Sequence, residues 1–315
     1  MEDFSKRLYE KLEKACELCR ADVISLSGGL DSTILAYYLK KKNPKAIVII
    51  AKDFESADLT YSQLASKELD LPLSIISVDT SEILESIKGT ISILKNFNDI
   101  EIRNNLVMYL AIKWAKDNHF KSIVTGDGAD ELFAGYRFLV KKEPSQLKQE
   151  IQRITSIMHF PTQKIGEAMG IQVESPFLDE SVIKYAKSIP SNLKIKYEKN
   201  KKYGKWILRK SFEGKIPHQI AWREKSAMQD GAGTKGLTHL FETLISDKIY
   251  TEKKKKIEKE HGIKIRSKES LHYFEIYNNI GGKIESTRND KSSCPYCNFN
   301  SENSKFCRMC GAFPI

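Results

Sequence analysis

The chain is expected to fold as an α/β protein built on a mostly parallel sheet, followed by a helical region and a small metal-bound module. Three observations carry that expectation. Short apolar runs at residues 23–26, 47–51, 73–78 and 122–125 alternate with stretches of helical periodicity. Strands alternating with helices imply βαβ units and a sheet covered on both faces. The first run ends in a Gly-Gly turn that opens into an apolar helix, and four cysteines lie between residues 294 and 310.

In chain order, Leu8, Leu12, Ala15, Cys16 and Cys19 share one face of an opening helix, so this Cys-x-x-Cys pair reads as buried thiols. The strand from Val23 leads into a loop and a helix over 34–40. A turn at Asn43-Pro44 precedes the strand 47–51. A helix over 59–69, the strand 73–78, helices over 81–93 and 102–118, and the short strand 122–125 follow. Ligands of such sheets bind beyond the carboxyl ends of the strands, so the loops after Leu26, Ala51 and Val124 should converge. Residues 141–240 read as helical, with breaks at Pro144, Pro161, Pro176, Pro190 and Pro217. The lysine run 253–256 reads as a solvated helix face, and 271–276 as an apolar segment docked on the main domain. Residues 281–293 read as a polar linker. The expected domains are 1–245, 246–290 and 291–315.

With 315 residues there is room for a large core. No run approaches the ~18 apolar residues of a membrane span, and the charged, helical N-terminus is unlike a signal peptide. A cytoplasmic protein without membrane contact is expected. The formal net charge of +10 permits an anionic partner without requiring one.

The chemistry begins at Ser27-Gly-Gly-Leu-Asp-Ser-Thr33. Glycines allow close backbone approach, and the uncapped N–H groups and positive dipole end of a helix attract anions. The lysine of the Walker loop is missing. Asp31 stands beside the cradle instead, which makes sense when Mg²⁺ bridges carboxylate and phosphate. SGGLDST resembles the PP-loop of ATP pyrophosphatases, which implies a PP-loop domain of the HUP-like, adenine nucleotide α-hydrolase-like fold and cleavage of ATP to AMP and pyrophosphate.

The loop after the fourth strand reads Thr125-Gly-Asp-Gly-Ala-Asp-Glu-Leu-Phe-Ala-Gly-Tyr136. An acid in a helix's first turn can simply serve the dipole, for a few tenths of a kcal/mol. Three acids beside a phosphate loop ask for more. Asp31 and Asp130 are the expected Mg²⁺ ligands.

These two motifs, together with IRNNLVMYL (102–110), ESPFLD (174–179) and ILRKSFEGKIPHQIAWREKSAMQDGAG (207–233), resemble the synthetase domain of asparagine synthetases and their β-lactam-forming relatives, in the same order over residues 5–240. The resemblance implies that Ser27, Gly28, Gly29, Asp31, Ser32 and Thr33 hold pyrophosphate. It also implies that Leu26, Ala51 and Gly126 flank the adenosine, and that Lys225 is the catalytic lysine. A fixed cation suits a reaction that builds negative charge at phosphorus and then at a tetrahedral carbon. Asp127 stands where many relatives carry a glutamate and is the candidate proton acceptor, one methylene shorter. Arg103 is the candidate for pairing a substrate carboxylate bidentately. No counterpart of the family's N-terminal glutaminase, with its cysteine nucleophile, is expected ahead of the PP-loop. The expected nitrogen source is therefore free ammonia, another amine, or a separate glutaminase subunit.

At the C-terminal end, Cys294-Pro-Tyr-Cys297 and Cys307-Arg-Met-Cys310 are separated by nine residues. Two such knuckles supply four thiolates for a closed, structural Zn²⁺ site, and a segment of ~25 residues holds no core without one. Lys305 and Arg308 with Tyr296, Phe299 and Phe306 suit phosphate and base contacts, although packing in a small domain accounts for the aromatics as well.

The leading expectation is an AMP-forming amide synthetase using ATP, Mg²⁺, a carboxylate (aspartate, by resemblance) and an amine. The rivals are a tRNA-modifying enzyme that binds RNA through the ribbon and lysine runs, and a synthetase subunit with the ribbon docked on a glutaminase. A non-catalytic binding module is disfavoured by the acids and lysine that the chemistry needs.

Overall fold

The computed structural model describes residues 2–198, 200–224, 228–284, 293–301 and 304–315. Of the linker expected over 281–293, residues 285–292 lie outside the described residues. Five strands form the main sheet: β1 (Val23–Ser25), β2 (Lys45–Ala51), β3 (Leu73–Val78), β4 (Ser122–Val124) and β5 (Gln172–Glu174), in the order β3-β2-β1-β4-β5. β1 pairs in parallel with β2, Val23 opposite Lys45, and with β4, Val23 opposite Ile123. β4 pairs in parallel with β5, Ile123 opposite Val173. The chain therefore leaves β1 toward one edge and later returns to its other side. That reversal opens a crevice at the carboxyl ends of β1 and β4.

The first six α-helices in chain order are α1 (Glu2–Leu18), α2 (Leu30–Leu39), α3 (Asp58–Leu69), α4 (Thr80–Leu94), α5 (Asp99–Asp117) and α6 (Ala129–Phe133). α2 begins at Leu30, four residues earlier than the apolar pattern suggests, so Asp31, Ser32 and Thr33 lie in its first turn and not in the loop. The apolar residues from Ile34 onward mark only the part of the helix that packs.

The stretch expected to be all helical contains two corrections. β5 has a single apolar residue, Val173, between Gln172 and Glu174, too short for any periodicity to register. Its Glu174 carboxylate accepts the backbone N–H groups of Arg20 and Ala21 at 2.6 and 2.8 Å, holding the turn into β1 where Ala21 has φ 58°. Residues Lys196–Glu198 (β6) and Lys201–Tyr203 (β7) form an antiparallel hairpin. The prolines start helices rather than break them: Pro144, Pro161 and Pro176 lie in first turns, and Pro190 and Pro217 at N-caps.

The residues divide into two compact units. The first comprises Met1–Ile50, Ala57–Ile76 and Ala111–Ala227, and the second Ala51–Ser56, Ser77–Leu110 and Met228–Ile315. In the first, Leu8, Leu12 and Cys16 of α1 meet Ile24, Leu26, Ile34 and Leu35 in one core. Each fully buried aliphatic side chain there contributes ~1.5–3 kcal/mol. Cys16 and Cys19 belong to this core, and burial pushes the Cys19 thiol up to about 12. Both are free, buried thiols, as the helical spacing predicts.

In the second unit α4 is closed by a capping box between Asp79 and Glu82. The apolar segment 271–276 lies within the helix Lys268–Asn279, where Phe274 meets Phe97 edge-on at 5.2 Å. The lysine run lies on the helix Asp247–His261, in which only Ile257 is buried. The cysteine module is tied to its own unit by hydrogen bonds. The Phe97 N–H donates to the Met309 carbonyl, the Lys264 N–H to that of Tyr296, and the Arg266 guanidinium to that of Cys310.

Candidate functional site

The glycine loop is shaped by one close contact. Gly28 adopts φ +66°, and a Cβ on it would lie 2.2 Å from the Tyr61 carbonyl carbon. No other residue fits between β1 and α3. Gly29 is the N-cap of α2 and brings no side chain of its own, leaving the helix end open to an anion. Ser27 Oγ accepts the Gly29 N–H at 3.3 Å and lies 3.2 Å from Ser32 Oγ. Ser27, Gly29 and Asp31 are half-buried, whereas Gly28, Ser32 and Thr33 are buried. The accessible lip of the cradle is therefore Ser27, Gly29 and Asp31. Leu26 is fully buried behind it.

The loop after β4 reaches the same place: a Cβ on Gly126 would sit 3.0 Å from that of Asp31. Asp130 follows in the first turn of α6. Between the two acids lies a residue that sequence reasoning missed. Lys205 Nζ is 2.6 Å from Asp31 Oδ2 and 2.6 Å from Asp130 Oδ1, with the lysine side chain only 3% exposed. Its backbone is left-handed, φ 54°, at the N-cap of the helix Trp206–Ser211, and its N–H donates to the Phe133 carbonyl. For a lysine that conformation costs about 1 kcal/mol or more. The only sequence signal was a Gly-Lys pair ahead of a buried Trp-Ile-Leu run, in a chain with 51 lysines and arginines.

The two acids suit a hard divalent cation. Asp31 Oδ1 is buried and has no hydrogen-bond partner among the described residues. An orphaned carboxylate oxygen beside an anion cradle is a magnesium-type donor. Next to Asp130, burial pushes the Glu131 carboxyl above its usual range, against the opposing hydrogen bond from Tyr136.

Asp127 lies half-buried in the loop and accepts the Thr125 hydroxyl at 3.1 Å. Lys225 falls outside the described residues. Two positions earlier, Arg223 donates to the Gly28 carbonyl at 3.3 Å, pairs with Asp58 at 3.2 Å and covers the Tyr61 ring at 3.8 Å. The segment leading to Lys225 is thereby fastened to the glycine loop.

Ala51 and Arg103 belong to the second unit. Ala51 ends β2 and is buried. Arg103 is engaged internally: Nε donates to Gln229 at 2.7 Å, and Nη1 to Thr238 and to the buried Glu269 carboxylate. Both the Nε and Nη1 donors are thus occupied within the unit, which departs from the expected bidentate receptor. A substrate carboxylate would have to displace one of these partners to be held by two parallel bonds.

In the C-terminal module Cys294, Cys297, Cys307 and Cys310 are all buried, with their sulfurs within 4.8 Å of one another. Sγ of Cys294 is 3.7 Å from that of Cys310, and Sγ of Cys297 is 3.6 Å from that of Cys307. Those separations exceed a disulfide's ~2.05 Å and match the ~3.8 Å between thiolates around tetrahedral zinc.

A parallel sheet with a glycine loop, two acids and a buried lysine at one crevice makes this an α/β domain of PP-loop-like fold. The chain belongs to the asparagine synthase family, whose profile matches residues 7–161 and 147–271. Asparagine synthetase B (glutamine-hydrolyzing) of Escherichia coli is 30% identical over 233 residues, covering 67% of this chain and 41% of its own length. A probable glutamine-hydrolyzing asparagine synthetase of Acanthamoeba polyphaga mimivirus is 28% identical over 290 residues, covering 88% and 52%. The chain thus spans about half the length, or less, of these relatives. A solved NMN synthetase from Francisella tularensis superposes over 92% of the chain at 15% identity, with a TM-score of 0.38.

Proposed function

We propose that this chain is an AMP-forming, ATP-dependent carbon–nitrogen ligase that adenylates a carboxylate, aspartate by family likeness, and transfers the acyl group to ammonia or another amine. The observation that carries the reading is the meeting of Asp31, Asp130 and Lys205 beside an uncapped helix end. In the first step a carboxylate oxygen bonds to the α-phosphorus while the α–β bridging P–O bond breaks, releasing pyrophosphate. In the second the amine nitrogen attacks the acyl carbon, AMP departs, and the nitrogen loses a proton.

Ser27, Gly29 and the α2 N–H groups bind the departing pyrophosphate through backbone and hydroxyl donors. Bound Mg²⁺, held by Asp31 and Asp130, would neutralise charge on the phosphates. Lys205 supplies a cation at the same carboxylates. Lys225 is assigned the charge that develops at phosphorus and at the tetrahedral carbon. Asp127 is assigned the amine's proton. The four cysteines hold Zn²⁺ as a structural ion with no open position.

The test is pyrophosphate release with ATP, Mg²⁺ and ammonium across the twenty amino acids. Stimulation by aspartate supports the reading, and none by any amino acid removes it. A second reading, RNA as the acceptor, is favoured by the exposure of Lys305, Arg308 and Phe313 on the cysteine module. It requires salt-sensitive binding of bulk tRNA that Lys305→Ala and Arg308→Ala weaken; no binding at low salt dismisses it.

A further inference from the structure

We infer that Arg209 is a positioning residue of the pyrophosphate site, fixing Lys205 and Arg223 against the glycine loop by gathering the backbone that carries both. The inference rests on the pyrophosphate-binding reading above. Arg209 lies in the helix Trp206–Ser211 and is 4% exposed. A guanidinium so deeply buried normally faces a carboxylate, since an unpaired buried charge is costly. Among the described residues its hydrogen bonds go only to carbonyls. Nε donates to Gly204 at 2.9 Å, and Nη1 to Ala221 at 2.7 Å and to Arg223 at 2.9 Å.

Those carbonyls belong to two segments. Gly204 precedes Lys205, whose left-handed backbone must be held for its amine to reach both acids. Ala221 and Arg223 lie on the segment that bonds the Gly28 carbonyl and continues to Lys225. One planar fork therefore sets the spacing of the two cations that address the loop. Asp31 and Asp130 act on Arg209 only through space, opposing the downward push that burial gives its pKa. The guanidinium thus also adds positive potential behind the acids. A lysine would keep that charge, but its single ammonium cannot span carbonyls from two segments as the fork does.

The experiment is calorimetric titration of the full chain with inorganic pyrophosphate and Mg²⁺. It compares the unaltered chain, Arg209→Lys, and Leu12→Ala as a core change in the same unit. Arg209→Lys is expected to bind at least tenfold more weakly, whereas Leu12→Ala, with a comparable fall in Tm, binds as the unaltered chain does. Arg209→Lys binding within twofold of the unaltered chain overturns the inference, and so does an equal loss in Leu12→Ala. Failure of the unaltered chain to bind pyrophosphate overturns the underlying reading and the inference with it. Should Arg209→Lys not fold, Arg223→Gln carries the test: a tenfold loss is expected, and affinity within twofold overturns the inference.

Discussion

The Lys205 ammonium lies 2.6 Å from the Asp31 carboxylate, in the position where an acid beside a phosphate loop would otherwise face only a metal ion. Asp130 shares the same ammonium. The chain thus supplies its own cation to these two carboxylates, Lys205, with Arg209 behind.

Lys205→Met would leave two largely buried carboxylates without their cation, which costs ~3 kcal/mol by analogy with other buried pairs broken on one side. Mg²⁺ should recover part of that loss by taking the vacated place. Thermal unfolding is expected to show a larger rise in Tm on adding Mg²⁺ to Lys205→Met than to the unaltered chain. An equal rise would show that the acids do not share a cation site.

How much of this was legible differs from residue to residue. Asp31 and Asp130 could be paired from sequence because each opens the helix that follows a strand of an α/β pattern, and such strands end at one crevice. Lys205 could not, because its place depends on a left-handed turn and a long excursion through the hairpin β6–β7. β5 was hidden for a related reason: a three-residue edge strand is specified by its neighbours' backbones and by Glu174, not by its own apolar pattern. Arg103 is expected from sequence to face a substrate carboxylate, but Glu269, far along the chain, sets what its guanidinium faces.

The Arg103–Glu269 pair can be tested as a unit. Glu269 is 1% exposed, and burial raises its carboxyl above the usual range while the Arg103 charge opposes the shift. Glu269→Ala should destabilise the chain by ~3 kcal/mol through the stranded guanidinium, and Arg103→Met plus Glu269→Ala should cost less than the sum of the single changes. Urea unfolding of the four proteins measures the coupling. Strict additivity would show that the pair is inconsequential.

Zinc should be present at one ion per chain and absent from Cys307→Ser. Its removal is expected to speed amide exchange in residues 97–103, because the Phe97 N–H is held by the Met309 carbonyl and Asp99 by Arg266. Metal analysis together with hydrogen exchange checks both statements. Less than one zinc per chain together with labelling of Cys294, Cys297, Cys307 and Cys310 by a thiol reagent in the native protein would contradict the first.

Lys194 gives a pH signature. It is 3% exposed, and burial lowers its pKa from 10.5 to about 8. Below pH 8 both native and unfolded states carry the charge, and the native state bears the burial cost. Between pH 8 and 10.5 the unfolded chain binds more protons, so this group makes stability rise with pH, by ~3 kcal/mol in all. Lys194→Met should therefore stabilise the chain at pH 7, by ~2 kcal/mol. That advantage should shrink between pH 8 and 10.5 in paired urea titrations. A pH-independent difference would contradict the buried-charge account.

The most direct test of the proposed activity follows the phosphates of ATP labelled at the α and γ positions in the presence of Mg²⁺, aspartate and ammonium. AMP and pyrophosphate are expected in equal amounts, matched by asparagine and abolished by Asp31→Ala in a protein that still folds. ADP with inorganic phosphate, or pyrophosphate release that survives Asp31→Ala, would contradict the assignment of this loop to adenylation.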